Sequence, residues 1–214
     1  MTAILGIFSS VFGMFRRRPR ISPSDQQLDD IGTIMDDDYY KRDILIAAKK
    51  ISTSPYLRVR LHAVRDIGHF AWLGGPGVAK FASNHLMAFS AFLQSETTPL
   101  DVKKETMFTI MEICACMREN QDKARGMGML DTFFDLLDSP EVVVRRGATA
   151  CLVVLVNENF ENHLSVLNMP GIKGKLLNIL HDDWSTWRRN EAARLILMLG
   201  LNRSEELSEM LTKT

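Results

Sequence analysis

The sequence predicts an all-α protein, a right-handed α-solenoid of about four repeats, and three observations lead there. An apolar residue followed by a basic one opens four stretches, at Val59-Arg60, Val102-Lys103, Val144-Arg145 and Trp187-Arg188, in steps of 42–43 residues. Behind each opening runs an apolar helical stripe, with Ile67, Ile110, Leu152 and Leu195 at one matched place and Ala71, Cys114, Val156 and Leu199 one turn further on. The same register reaches the helix in front, where Leu86, Met129 and Ile172 correspond. Units of this length cannot bury their apolar faces alone, so each core exists only because neighbouring units touch.

Residues 1–20 form an apolar/basic segment. A helix over Ile4 to Phe15 would be only about 18 Å long, against a hydrocarbon core of about 30 Å, so it cannot span a membrane. Its wheel places Phe8, Phe12 and Phe15 on an apolar half and Gly6, Ser10 and Gly13 on the other. The arginines follow the apolar run, whereas a secretory signal places its positive charge first. Residues 21–38 read as an acidic linker, because Ser22-Pro23-Ser24 breaks a helix and the aspartates keep the stretch solvated.

The helical domain is expected over residues 39–214. Tyr39 to Ser52 is helical, and Ser54-Pro55 opens the first long helix, Tyr56 to Leu73. Gly74-Gly75-Pro76-Gly77 is a break before Val78 to Asn84 and Leu86 to Gln94. Ser95 to Pro99 is the next turn, and the second long helix runs through Met117. Asn120 to Gly126, Met129 to Leu137 and Val142 to Val156 make the next unit, followed by Phe160 to Leu167, Ile172 to Leu180 and Ser185 to Leu201. Glycines turn the chain between helices, and prolines sit where helices start.

Short, medium and long helices in that order, with a glycine between the first two, resemble an armadillo repeat. The resemblance covers about residues 54–201 and rests on Gly128-Met129-Leu130 through Leu137-Asp138-Ser139-Pro140, and on Gly171-Ile172 through Leu180-His181-Asp182-Asp183. The chain is similar to the small armadillo-like helical domain-containing proteins. Such proteins are generally binding scaffolds, so the resemblance implies partner recognition without naming a partner.

Composition excludes several functions. The chain has 214 residues, is 46% hydrophobic and carries no net charge, so no global field favours nucleic acid. A nucleic-acid-binding helical-repeat protein is the alternative reading, and acids on the first two long helices count against it. Cys114, Cys116 and Cys151 are odd in number and unpaired in spacing, which suits a reducing, cytoplasmic compartment. His62 and His69 share a face but lie about 10 Å apart along the axis, too far for one metal. No catalytic or cofactor motif is present, so the chain reads as a non-enzyme with neither metal nor cofactor.

Surfaces then carry the function. The basic residue that opens each stripe falls on the buried side of the first turn, where it should pair with a turn carboxylate or carbonyl of the neighbouring unit. The next column, with Lys104, Arg146 and Arg189, is more exposed. Opposite the stripe, the first two long helices place polar residues and the third places Gly147, Cys151 and Val154. The expected site is a slot floored by Cys151 and Val154 and flanked by Arg146, Arg189 and Arg194, fit for an apolar-acidic peptide of a protein partner or for the chain's own tail. Trp72, Trp184 and Trp187 lack the asparagine one turn on that the tryptophan ladder of nuclear-import armadillo proteins has; Pro76 and Glu191 stand there instead. At the N-terminus, Phe8, Phe12, Phe15, Arg16, Arg17 and Arg18 are expected to meet a membrane surface or else to pack on the first unit.

Overall fold

A computed structural model of the protein describes residues 26–115, 117–182 and 190–202. Every regular element among them is helical: α1 (Gln26–Thr53), α2 (Leu57–Leu73), α3 (Gly75–Ala82), α4 (Leu86–Gln94), α5 (Leu100–Cys114), α6 (Arg118–Gly126), α7 (Met129–Leu136), α8 (Val142–Val156), α9 (Phe160–Leu167), α10 (Ile172–Leu180) and α11 (Glu191–Met198). The long helices α2, α5 and α8 and the shorter α11 lie side by side in chain order. Each of the last three also packs on the helix before it (α4, α7 and α10), and α1 covers α2 and α3 at one end.

The stripe read from the sequence is the core. Ile67, Ile110, Leu152 and Leu195 are fully buried, as are Leu86 and Met129, and Ala71, Cys114, Val156, Leu199 and Ile172 are nearly so. Each aliphatic side chain of this size contributes about 1.5–3 kcal/mol by leaving water. The turns follow local chemistry. Gly128 and Gly171 precede α7 and α10 with φ of 71° and 79°, a left-handed conformation that costs a side chain energy. His85 stands at the matching place in the first unit and keeps φ at −95°, so the chain passes through a 3-10 turn, Ser83–His85, instead.

Two asparagines clasp successive units in the same way. Asn120 Nδ2 donates to Ile113 O (2.8 Å) at the end of α5 and to Ala79 O (3.0 Å) on α3. Asn162 Nδ2 donates to Leu155 O (2.8 Å) at the end of α8 and, over a longer 3.4 Å, to Gln121 O on α6. Both are buried. The bonds to Ile113 O and Leu155 O answer carbonyls that the helix ends leave without intrahelical donors.

Three expectations are corrected. Residues 26–38, read as part of a linker, are helical, and the Ser-Pro-Ser break lies upstream of them in the sequence. The second long helix ends at Cys114, because Ala115 is extended (φ −60°, ψ 130°) and leads into α6. Within the span expected for the fourth long helix, the described helix starts only after Asn190, which is extended (ψ 98°). Its Oδ1 caps the Ala193 N–H (3.1 Å) and its Nδ2 donates to Leu180 O (3.1 Å), the role asparagine fills best.

Candidate functional site

The basic residue opening the third stripe behaves as its helical phase requires. Arg145, on the first turn of α8, forms a two-pronged pair with Asp182 beyond α10 (2.6 and 3.1 Å) and donates to Ser139 O and Pro140 O (2.7 and 3.0 Å). The hydrogen bonds to Asp182 raise the guanidinium pKa against a smaller burial penalty. With side chains 20% and 12% exposed, this pair binds one unit to the next and is not offered to a ligand. Arg60 and Lys103 are half-buried at the matching places, and Arg188 lies outside the described residues.

The expected slot is not open. Cys151 and Val154 are buried, at 1% and 7% exposure, and cannot floor it. A long helix in this stack has a long neighbour on each side, so the column read as groove floor is the seam between them. Thr109 Oγ1 donates to Val64 O on α2 (2.8 Å), and one unit later Cys151 Sγ donates to Met107 O on α5 (3.5 Å). The thiol repeats the hydroxyl's part. Burial also pushes the Cys151 thiol pKa well above its ordinary value, so it is inert as a nucleophile. Glycines make the seam close: a Cβ on Gly68 would lie 2.9 Å from Thr109 Cα and collide with the Glu112 carboxylate, and one on Gly147 would lie 2.7 Å from the Met107 side-chain tip.

The flanking arginines separate. Arg146 is half-buried on α8, while Arg194 is turned onto α11's own first turn and pairs with Glu191 (3.3 Å), both side chains under one-fifth exposed. Arg194 is therefore a structural cation, not a rim residue. Arg189 lies outside the described residues, as do Phe8, Phe12, Phe15, Arg16, Arg17 and Arg18.

One surface escaped the sequence reading. Leu57, Leu100 and Val142 begin α2, α5 and α8 at matching register, and each is exposed, at 41%, 40% and 37%. Tyr56, Val59 and Val143 beside them are exposed too. Side-by-side helices stand about 8–10 Å apart, so these residues make a row across three units along the N-terminal edge of the long helices. Exposed Arg58 and half-buried Lys103 and Lys104 accompany it. The signal was present two positions before each apolar–basic opening, but a residue preceding a stripe has no assigned face until the helix start is known.

Among the described residues no helix is long and apolar enough to cross a membrane, and no group of three or more His, Cys, Asp or Glu is arranged to hold a metal. None of the curated proteins matches the chain. A family model described as armadillo-like helical domain-containing protein 2 matches residues 33–203, a span that takes in most of α1 and every later helix. With that match over most of its length, and with the side-by-side long helices just described, the chain belongs to the armadillo-like helical domain-containing protein 2 family.

Proposed function

We propose that the protein is a non-catalytic interaction scaffold, an α-solenoid of about four repeats that receives an apolar–acidic segment of a protein partner along the N-terminal edge of its long helices. The row of Leu57, Leu100 and Val142 carries this reading. Isolated apolar residues on a surface need no explanation, but a row of them at one register across three packed helices is what a partner's apolar face would cover. Arg58, Lys103, Lys104 and Arg146 supply positive charge for the acidic part. Residues 1–20 tether the scaffold to an anionic membrane surface through Phe8, Phe12, Phe15 and the following arginines, with no cofactor and no nucleic acid involved.

A photo-crosslinking amino acid placed singly at positions 57, 100 and 142 tests the scaffold reading, with the still more exposed position Met87 on α4 as comparison. The expected result is one acidic partner segment joined at all three row positions and absent at position 87. Products that do not differ between the row and position 87 would refute it. For the tether, residues 1–20 fused to a fluorescent protein should float with anionic vesicles and float less at high salt. A fusion that stays at the bottom of the gradient refutes that part.

A further inference from the structure

A cavity of about 490 Å³ opens between α1, α3 and α6, on helices other than those that carry the apolar row. Its described lining residues include Lys41, Lys80 and Lys123 and one carboxylate, Glu119. Lys123 Nζ is fixed at its wall by Asn84 Oδ1 (2.9 Å) and Ser83 Oγ (3.1 Å). Asn84 thereby turns its amide oxygen to the lysine and keeps its Nδ2 as a donor. Lys80 Nζ meets Glu119 Oε2 at 2.7 Å, with both side chains about two-thirds exposed, so an incoming anion can displace that carboxylate at little cost. Burial, and then the charge of Lys123, hold nearby His85 below its ordinary pKa.

The next junction carries its charge differently. Between α6 and α9, Arg125 pairs with Asp122 (3.3 Å) and donates to Asn162 Oδ1 (2.8 Å), while Asn159 Nδ2 donates to Asp122 (3.0 Å). There the charge of Arg125 is answered by a carboxylate. In the cavity, Lys123 is held by the neutral oxygens of Asn84 and Ser83.

We propose that this cavity binds a phosphate monoester, with Lys41, Lys80 and Lys123 gathered around its oxygens and the Asn84 amide donating to one of them. These cations are lysines, mobile point charges suited to a tetrahedral dianion approached from several sides. A flat carboxylate is met best by the paired donors of arginine, and none of the described lining residues is one. The volume falls within the range of small-molecule sites. The site is independent of the partner row and stands or falls separately from it.

The test uses the full chain and two probes with one headgroup: free glycerol 3-phosphate, followed by amide NMR shifts, and vesicles containing phosphatidic acid, compared with phosphatidylserine vesicles matched for surface charge. Binding should perturb Asn84 and Lys123. Lys80→Ala should weaken it about tenfold, the scale of one lost charged hydrogen bond. Glu119→Gln should tighten it, and Lys173→Ala, on exposed α10 surface, should leave it unchanged. Lys80 and Glu119 are exposed enough for these variants to keep the fold, which circular dichroism checks. Lys80-dependent binding of the free ester identifies a soluble ligand, and a Lys80-dependent preference for phosphatidic acid alone identifies a lipid headgroup. The proposal is overturned if neither probe binds in a Lys80-dependent way, or if Glu119→Gln weakens binding.

Discussion

Replacing Asn162 with alanine should cost about 3 kcal/mol, more than a typical buried polar residue of its size. Its Nδ2 is the donor that meets Leu155 O in the last turn of α8 (2.8 Å), and its Oδ1 accepts from Arg125 Nη1 (2.8 Å). The backbone N–H of Asn162 bonds to Asn159 Oδ1 and is unaffected. Alanine leaves the Leu155 carbonyl buried without its donor, which costs about 1–3 kcal/mol. The lost bond to Arg125 adds about 1 kcal/mol, moderated because Arg125 keeps Asp122 at 3.3 Å. The 3.4 Å approach to Gln121 O contributes little. For a chain of this size the total corresponds to a fall of about 6–12 °C in Tm. Urea unfolding followed by far-ultraviolet circular dichroism measures it, provided that the m-value stays constant. Asn162→Asp provides the sharper arm: it keeps the shape and the acceptor for Arg125 but turns a second acceptor toward the Leu155 carbonyl, so it should be no more stable than the alanine variant. A loss below about 1 kcal/mol for alanine, or wild-type stability for aspartate, would refute the clasp as a fastening between units.

Other outcomes follow from the same packing. Gly68→Ala drives a Cβ into the Thr109 backbone and should cost about 1–3 kcal/mol, whereas Gly147→Ala meets only the flexible tip of Met107 and should cost less than half as much; equal losses in paired urea titrations would contradict the seam geometry. Asp182→Asn weakens both prongs of the Arg145 pair and should lower stability by about 1.5–3 kcal/mol, read as a shift in the urea midpoint. Burial raises the Cys114 thiol pKa to about 12, so a native-state thiol probe at pH 8 should leave Cys114 and Cys151 unmodified until the chain unfolds. The folded state holds the Cys114 proton up to about pH 12 and the unfolded chain releases it near 9, so the stability from this group falls as pH rises through that window; an increase in urea midpoint there would contradict it. Serine at Leu57, Leu100 and Val142 together should lower Tm far less than serine at the fully buried Ile67, Ile110 and Leu152, because more than a third of each row residue is already in water.

Much of the fold was legible along the chain because a helical stripe is a local signal. A period near 3.6 marks the buried face of each helix, and a step of 42–43 residues marks the unit, so Ile67, Ile110, Leu152 and Leu195 could be assigned to the core before any coordinate was known. Glycine at 128 and 171 and the proline at 140 marked boundaries through backbone restrictions that each residue carries by itself. Arg145 was placed correctly because its angle from the stripe put it on the buried side of a first turn. Sequence also missed local features: the helical run from Gln26 and the helix start after Asn190 depend on local preferences weak enough for context to decide them.

The candidate site was harder to read, because the face opposite a helix's core stripe has no meaning until its neighbours are placed. Cys151 and Val154 looked like the floor of a slot and are the seam between α5 and α8; Arg194 looked like its rim and belongs to Glu191. The Asn120 and Asn162 clasps join positions about 40 residues apart, and the lysine cavity draws on three helices. By itself, then, the sequence determined the helices, their inward faces and the period of the units, since these depend on bonds and burial within a few turns of chain. The tertiary structure alone decided which outward faces were covered, which charges were answered and which apolar row remained in water, since those depend on the distance between helices that the chain brings together only when folded.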